Sequence, residues 1–294
     1  MRPASAGTRF REALSREKPL QIVGTPNAYT ALLAEKSGFC ALYLSGAGVA
    51  NLSFGLPDLA MTHLGDVLED ARRITSVTEL PLLVDLDTGW SHAFTIRRAV
   101  KEMIRAGVAA VHLEDQAQAK RCGHRPGKML VETAEMADRI KAAVDAKTDP
   151  SFTIMARTDA LANEGLEKTI ERLSAYVSAG ADMVFLEGAQ SLEDYRAVIR
   201  TIKVPLLANM TEFGVTPLLT THELAEAGVH MVLYPLSAFR AMSQAALTVF
   251  RTLREQGTQK SLLSQMQTRE ELYETLDYYR YEKILDNLNQ GKSS

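Results

Sequence analysis

Cysteine is scarce in this sequence, and long apolar runs are missing. Cys40 and Cys122 are the only cysteines among 294 residues, and neither has a partner at the C-x-x-C spacing of zinc sites. Two cysteines cannot form the disulfide framework of a small secreted protein, so a reducing compartment is favoured. The opening stretch MRPASAGTRFREALSREKPLQ has no apolar core of signal-peptide length, and no window approaches the roughly 18 apolar residues that span a bilayer. We therefore expect a cytoplasmic protein with no membrane partner.

The sequence also lacks a large excess of charge of either sign. Its formal net charge is −3, with 23% charged residues. Domains that bind nucleic acid usually carry a clear positive excess, so no nucleic-acid partner is expected. Hydrophobic residues make up 46%, enough for a substantial core, and 294 residues suit either two ordinary domains or one α/β barrel with additions.

Four segments of the chain repeat a transition from helix to strand. In each, a glycine follows a predicted helix and an apolar run of strand length comes next. The segments are KSGFCALYLSG from Lys36, RAGVAAVHLED from Arg105, SAGADMVFLEG from Ser178 and EAGVHMVLYPL from Glu226. The helices before them have one apolar face, which is typical of helices that cover a sheet.

Four further apolar runs bring the number of predicted strands to eight. They are LQIVG from Leu20, PLLVDLD from Pro81, FTIMARTD from Phe152 and VPLLANMTE from Val204. Apolar strands that alternate with amphipathic helices indicate a covered parallel sheet, and eight such units predict an α/β fold of the (β/α)₈ TIM-barrel type. An open doubly wound sheet is the alternative, but no G-x-G-x-x-G follows the first strand.

A helical pattern continues past the eighth strand to the end of the chain. We therefore predict one barrel domain over 1–294, with a C-terminal helical extension from about 237 to 294. Tyrosines of this extension are suited to an interface between subunits, or else to packing on the same subunit's barrel. These tyrosines are Tyr273, Tyr278, Tyr279 and Tyr281.

Polar residues follow the predicted strands at the end where ligands bind in parallel α/β folds. They are Tyr43, Ser45, Asp85, Asp87, His112, Glu114, Arg157, Asp159, Glu187, Asn209 and Thr211. Each one alone could be a satisfied polar group at a strand end. Several charges on one rim are costly without a cation or a ligand to neutralise them, which predicts a binding site there.

Carboxylates on this rim predict a metal site. Asp85 and Asp87 are two residues apart on an extended segment, so their side chains share one face, and Glu114 ends the next strand. Asp58 is a fourth candidate, or a turn residue after Pro57. An oxygen-only set suits a hard cation such as Mg²⁺, with Mn²⁺ also possible.

Groups that bind anions lie on the same rim. Arg157 offers a bidentate fork for a substrate carboxylate, and Asn209 and Thr211 offer hydrogen bonds. Backbone N–H groups of SGAG, residues 45–48, could cradle an anion, although most glycine-rich turns are simply turns.

Cys122 lies in a basic loop, KRCGHRPGK, residues 120–128. Nearby cations stabilise a thiolate and lower the pKa of the thiol, so the loop indicates a reactive cysteine. A solvated loop with an inert cysteine is the alternative. The loop is long, polar and glycine-containing, which predicts a flap that closes over bound substrate.

These motifs together resemble the isocitrate lyase and phosphoenolpyruvate mutase superfamily, and within it the branch of the 2-methylisocitrate lyases. The resemblance rests on DLDTG, HLED, KRCGH, MARTDA and NMTEFG and extends over nearly the whole chain. KRCGH is specific for the lyase branch, whereas mutases and oxaloacetate decarboxylases of the superfamily generally lack its thiol.

The resemblance implies Mg²⁺-dependent cleavage of 2-methylisocitrate to pyruvate and succinate, a step of the methylcitrate cycle of propionate catabolism. It implies that Asp85 and Asp87 hold the metal and that Asp58 and Glu114 reach it through water. Ser45, Gly46, Ala47 and Arg157 would position the pyruvate half. Gly123, His124, Asn209 and Thr211 would bind the succinate half, with Glu187 nearby.

Catalytic roles also follow from the resemblance. Cys122 would protonate the carbanion of the succinate fragment, with Arg121 and His124 tuning the thiol. Tyr43 is the candidate base by position, with a water molecule or a carboxylate as the alternatives. The family further suggests a homotetramer that acts on a small tricarboxylate.

Two other functions stay open at this point. Isocitrate lyases share the cysteine loop but are usually longer, and the extra methyl group of 2-methylisocitrate needs an apolar niche. Phe185, Leu233 and Pro235 could supply it, or could simply be core residues. A barrel that binds carboxylates without turnover is the alternative from another class.

Overall fold

The structure is a computed structural model that describes residues 4–90 and 92–290. Within these residues, eight parallel strands close into a barrel in sequence order. The strands are β1 Leu20–Gly24, β2 Ala41–Leu44, β3 Leu82–Asp85, β4 Ala110–Glu114, β5 Thr153–Thr158, β6 Met183–Leu186, β7 Leu206–Asn209 and β8 Met231–Tyr234. The predicted (β/α)₈ barrel is confirmed, and the open sheet is wrong.

The described residues also form helices. They are α1 Ala6–Arg16, α2 Ala28–Lys36, α3 Gly46–Gly48, α4 Leu64–Thr75, α5 Ala93–Arg105, α6 Thr133–Val144, α7 Leu161–Ser178, α8 Leu192–Thr201, α9 Thr221–Glu226, α10 Ser237–Gln256, α11 Arg269–Thr275 and α12 Tyr278–Asn289. A π-helical turn, Val49–Ser53, continues α3, and a 3₁₀ turn, Lys260–Gln265, follows α10.

The glycines of the four repeated segments end helices as predicted. Gly38, Gly107, Gly180 and Gly228 have φ values of 87°, 78°, 106° and 85°, in the left-handed region that side chains disfavour. Each of them turns the chain out of a helix and into the next strand. This local signal explains why four of the eight strands, β2, β4, β6 and β8, could be located from the sequence.

Helix α1 covers the amino end of the barrel. Phe10 of α1 is fully buried and belongs to the interior cluster that includes Leu20, Met183 and Met231, the first residues of their strands. A Cβ on Gly7 would lie 2.5 Å from the carbonyl carbon of Ser151, so only glycine permits this close packing of α1. The opposite, carboxyl end is left for polar side chains.

Strand register brings the predicted rim residues to one level. Asp85 of β3 pairs with His112 of β4, and Glu114 of β4 pairs with Arg157 of β5. Because all the strands run parallel, these side chains meet at the carboxyl end of the barrel.

The described part of the chain divides into two compact units, with the boundary between Phe239 and Arg240. The expected single domain with an extension from about 237 stays a prediction. In the second unit, Tyr273 stacks on Tyr278 with ring centroids 4.2 Å apart. Over residues 4–90 and 92–290, no helix combines the length and the apolar character that crossing a bilayer requires.

Candidate active site

A cavity at the carboxyl end of the barrel collects most of the predicted site residues. Its lining includes Tyr43, Ser45, Ala47, Asp58, Asp85, Arg121, Cys122, Gly123, His124, Arg157, Glu187, Asn209 and Thr211. Three predicted residues lie just behind this lining. The Gly46 amide donates to Asp85 Oδ2 at 3.2 Å, the Asp87 amide donates to Asp85 Oδ1 at 2.9 Å, and Glu114 Oε2 lies 3.4 Å from Arg157 Nε.

The carboxylate cluster contains a cation that the sequence reasoning missed as a site residue. Lys120 Nζ lies 2.5 Å from Asp58 Oδ1 and 2.6 Å from Asp87 Oδ1. The Lys120 side chain is 4% exposed, so these contacts are shielded from water. Its place in the basic loop was the sequence feature that could have identified Lys120 as a site residue. Its carboxylate partners, however, lie elsewhere in the chain.

Burial and mutual repulsion separate the pKa values of the three innermost carboxyls. Burial and the neighbouring Asp85 raise the pKa of Asp87 to about 7. Burial raises the pKa of Glu114 well above its usual value, although Arg157 opposes this. For Asp85, burial acts upward, but His112, Lys120 and Arg157 together lower its pKa. Negative charge is therefore concentrated on Asp85.

This cluster fits a magnesium ion that keeps part of its water shell. Glu114 Oε1 is buried and has no hydrogen-bond partner among the described residues. Asp85 and Asp87 supply only oxygen ligands, which is the set that Mg²⁺ prefers. Across the described residues, no three His, Cys, Asp or Glu side chains are grouped closely enough to hold a metal alone. One or two direct carboxylates with bridging waters suit this arrangement.

Tyr43 and His112 form a buried pair beside Asp85. Tyr43 Oη lies 2.9 Å from His112 Nε2 and donates to Asp85 Oδ2 at 3.4 Å. Burial, together with Asp85, raises the pKa of Tyr43 well above its usual value. Burial lowers the pKa of His112 to about 4, although Asp85 opposes this. Both groups are neutral near pH 7 in these surroundings.

Arg157 is the central cation of the other half of the cavity. Its guanidinium donates to Asp159 at 2.9 and 3.2 Å, contacts Glu187 Oε2 at 3.2 Å and lies 5.1 Å above the ring of Phe185. Asn209 Nδ2 donates to Glu187 Oε2 at 3.2 Å. With Glu114 on its third side, the fork predicted for a substrate carboxylate is thus already held in place by three carboxylates and an aromatic ring.

The flap, which we define as residues 116–130, is closed at its base. Gln116 and Leu130 form an antiparallel bridge, and the side-chain amide of Gln116 both donates to and accepts from the backbone of Arg121. The Arg121 guanidinium donates to the carbonyl of Pro126 at 3.2 Å. The predicted effect of Arg121 on the Cys122 thiol stays a prediction.

His124 is held from two sides. The Val215 amide donates to His124 Nδ1 at 3.1 Å, and Nε2 lies 3.0 Å from Glu187 Oε1. These two contacts fix the orientation of the ring, with Nδ1 toward the backbone of Val215 and Nε2 toward Glu187. The predicted effect of His124 on the Cys122 thiol stays a prediction.

Apolar side chains line one side of the same cavity. Phe185, Leu233 and Pro235 contribute to the lining, together with Leu236. Phe185 is also fully buried, so it has both a core face and a cavity face.

Comparison with known proteins gives one consistent family. The model of the family described as phosphoenolpyruvate phosphomutase matches residues 10–254. A protein of Shewanella oneidensis named 2-methylisocitrate lyase is 63% identical over 284 residues, covering 97% of each chain. A protein of Escherichia coli with the same name is 61% identical, covering 97% of this chain and 96% of the relative.

Solved structures agree with these relatives. A crystal structure of 2,3-dimethylmalate lyase, described as a member of the PEP mutase/isocitrate lyase superfamily, superposes with a TM-score of 0.90 at 34% identity, covering 99% of this chain and 97% of that one. A phosphonopyruvate hydrolase in complex with oxalate and Mg²⁺ has a TM-score of 0.84 at 28% identity, covering 96% and 98%. The chain therefore belongs to the phosphoenolpyruvate phosphomutase family and, within it, to the 2-methylisocitrate lyases.

Proposed function

We propose that this chain cleaves 2-methylisocitrate into pyruvate and succinate with the help of Mg²⁺. The observation that carries the proposal is that one cavity joins Cys122 of the flap to Arg157 and Asp85 of the barrel. The family shown by the comparisons supports a carbon–carbon lyase, and the complex of a structural relative with Mg²⁺ supports the metal.

The reaction breaks the bond between the carbon that carries the hydroxyl and its neighbour in the succinate half. The hydroxyl loses its proton and becomes the keto oxygen of pyruvate, while the bonding electron pair passes to the succinate fragment. That carbon then takes a proton. Asp85 and Asp87 would hold the metal, with Asp58 and Glu114 reaching it through water. Bound there, Mg²⁺ supplies positive charge that polarises the hydroxyl oxygen and offsets the negative charge of Asp85.

The barrel residues bind and orient the pyruvate half. Arg157 would bind its carboxylate, assisted by Ser45 and the backbone at Gly46 and Ala47. Tyr43 is the proposed base for the hydroxyl proton. Burial and the neighbouring Asp85 raise the pKa of Tyr43 well above its usual value, so this role requires positive charge beside Asp85.

The flap residues serve the succinate half. The thiol of Cys122 would give its proton to the carbanion, which the cationic flap stabilises. Gly123, His124, Asn209 and Thr211 would bind the two succinate carboxylates, with Glu187 nearby, and Arg121 completes the charge of the flap. A closed flap excludes water that could protonate the intermediate unselectively.

The apolar side of the cavity supports a methylated substrate over isocitrate. Phe185, Leu233 and Pro235 lie where they can contact a methyl group. A methyl group contributes only about 1–3 kcal/mol of discrimination, so slow cleavage of isocitrate accompanies the main activity.

The proposal includes the setting of the reaction. We place it in the methylcitrate cycle of propionate catabolism, in the cytoplasm, with Mn²⁺ as a possible substitute for Mg²⁺. The active form would be a homotetramer, and neither nucleic acid nor a membrane would be a partner.

The test mixes the purified protein with Mg²⁺ and either 2-methylisocitrate or isocitrate and follows keto-acid release. We expect pyruvate from the methylated substrate at a much higher rate than glyoxylate from isocitrate. A Cys122→Ser variant should still bind substrate but lose turnover by orders of magnitude, which separates a lyase from a barrel that only binds carboxylates. Absence of pyruvate from the wild-type protein would end the proposal.

A further inference from the structure

Lys128 is a buried cation that the proposed reaction does not use. Its side chain is 3% exposed, and its Nζ donates to the Gly123 carbonyl at 2.6 Å and to Asp159 Oδ1 at 2.9 Å. Its own carbonyl accepts from Asn163 Nδ2 at 2.8 Å. A buried ammonium group is costly unless it is paired, so these contacts must supply its stabilisation.

The two partners of Lys128 belong to different parts of the site. Gly123 lies next to Cys122 in the flap, whereas Asp159 follows strand β5 and holds the guanidinium of Arg157. Asp159 is fully buried, so its charge is balanced by these two cations. Lys128 therefore connects the cysteine segment of the flap to the carboxylate that orients Arg157.

The position of Lys128 explains how this connection could close the flap. The Ala117 amide donates to the Met129 carbonyl at 2.7 Å, so Lys128 extends from the fixed base of the flap. Its side chain reaches the Gly123 carbonyl near the tip. A Cβ on Gly123 would collide with Arg157 Nη2, so the backbone there lies directly against the guanidinium.

We propose that Lys128 is a positioning residue that fastens the closed flap over Arg157 and so holds Cys122 at the cavity. Lys128 does not line the cavity. Its effect on turnover rests on the proposed function, but its effect on flap closure does not, because its contacts involve only residues of the chain.

The test uses the full-length protein and a Lys128→Met variant, which keeps an unbranched side chain one atom shorter and removes the charge. The rate of alkylation of Cys122 by iodoacetamide is followed by mass spectrometry of the proteolytic peptide that contains this residue. We expect alkylation to become about tenfold faster or more in the variant, the size of effect that one hydrogen bond to a charged group produces. Loss of a nearby positive charge would by itself disfavour the thiolate and slow the reaction, so acceleration reports opening of the flap.

Two controls accompany this measurement. Cys40 lies outside the flap, just before β2, and its alkylation rate in the same sample should not change. Lys141→Met removes an exposed lysine that pairs with Asp138 at 3.1 Å, and it should leave both thiols unaffected. If Lys128→Met does not fold, Lys128→Gln replaces it, because a neutral amide can still donate to the Gly123 carbonyl and should give a smaller acceleration.

The proposal would be overturned if the folded Lys128 variants had the same ratio of Cys122 to Cys40 alkylation rates as the wild type. If Lys128→Met accelerates Cys122 alkylation but the wild-type protein releases no pyruvate, the proposed function is refuted while the role of Lys128 stays intact. If the proposed function and the role of Lys128 both hold, the variants should also have a lower kcat/KM for 2-methylisocitrate. The loss should be larger in Lys128→Met than in Lys128→Gln.

Discussion

Gly214 leaves room for the ring of His124. A Cβ added there would lie 2.7 Å from His124 Nδ1 and 2.9 Å from Cε1, while the backbone of Gly214 does not require a left-handed conformation. Gly214→Ala should therefore displace the ring rather than strain the chain. We expect kcat/KM for 2-methylisocitrate to decline by about 10- to 100-fold, since a misplacement of about 1 Å near the chemistry has effects of this size.

A matched glycine provides the control for this variant. A Cβ on Gly65 in α4 would meet no atom within 4 Å, so Gly65→Ala should leave the kinetics unchanged. The second readout is the pair of ¹⁵N shifts of His124, which reports the tautomer and should change in Gly214→Ala alone. Equal activity of both variants would show that the ring position does not matter.

Asp159 makes stability depend on pH in the acid range. Burial acts upward on its pKa, but Arg157 and Lys128 dominate and lower it to about 2 in the folded state. An unfolded Asp titrates near its ordinary value of about 3.9. The folded pKa is the lower one, so this contribution is present above about pH 4 and is lost as pH falls toward about 2, amounting to about 3 kcal/mol.

Urea unfolding of wild type and Asp159→Asn at several pH values measures this contribution. The difference in free energy of unfolding between the two proteins should be largest at neutral pH and shrink below about pH 4. A difference that stays constant down to pH 3 would show that the charge of Asp159 contributes nothing beyond its hydrogen bonds.

The sequence predicts the positions of some site residues but not the contacts of others. Arg157 and Glu187 could be predicted because Arg157 lies near the carboxyl end of an apolar strand and Glu187 directly follows one, and strand position alone directs them to the rim. The contacts of Lys120 and Lys128 could not, because they join residues 62 and 31 positions apart and depend on the path of the flap. Likewise, the orientation of the His124 ring depends on the Val215 amide, 91 residues away.

At the scale of elements, the strands carry their own signals but the flap does not. Four strands follow a glycine, such as Gly38 or Gly107, that ends a helix through a local conformational preference, and the other four are distinct apolar runs. The eight strands could therefore be found without tertiary information. The flap has little regular structure, and its closed position depends on buried ion pairs with the barrel. Composition revealed its charge but not which carboxylate each cation would meet.

The flap should also influence metal binding through Lys120. Its ammonium group contacts Asp58 and Asp87, so it competes with a divalent cation for negative charge on the same carboxylates. Lys120→Met should therefore increase the affinity for Mg²⁺ by about tenfold, in line with removal of one charge several ångströms from a shielded site. Isothermal titration of the substrate-free protein measures this, and Lys141→Met serves as control. Weaker binding in the Lys120 variant would instead make Lys120 a support of the metal site.

Across the whole barrel, residues that stabilise the fold at the amino end lie apart from the site residues at the carboxyl end. Phe10 of α1 fills the amino end, far in the fold from the rim residues at the carboxyl end. Phe10→Ala should lower the free energy of unfolding by about 3–5 kcal/mol because it leaves a cavity in the interior. The kcat of the folded variant should stay close to that of the wild type. A matching loss of kcat, measured well below the unfolding transition, would show that the two ends are coupled.

Exposed leucines on α12 predict that the protein forms an oligomer. Leu285 and Leu288 of α12 are 58% and 61% exposed, which is costly for two neighbouring apolar side chains unless another chain covers them. Closed symmetric oligomers are the usual way to cover such a surface, and a homotetramer is the proposed form. Light scattering after size-exclusion chromatography should give about four times the chain mass of 32.3 kDa. A Leu285→Glu, Leu288→Glu double variant should give smaller species, whereas Asn287→Asp on the same helix should not. A wild-type protein that runs as a monomer would contradict the prediction.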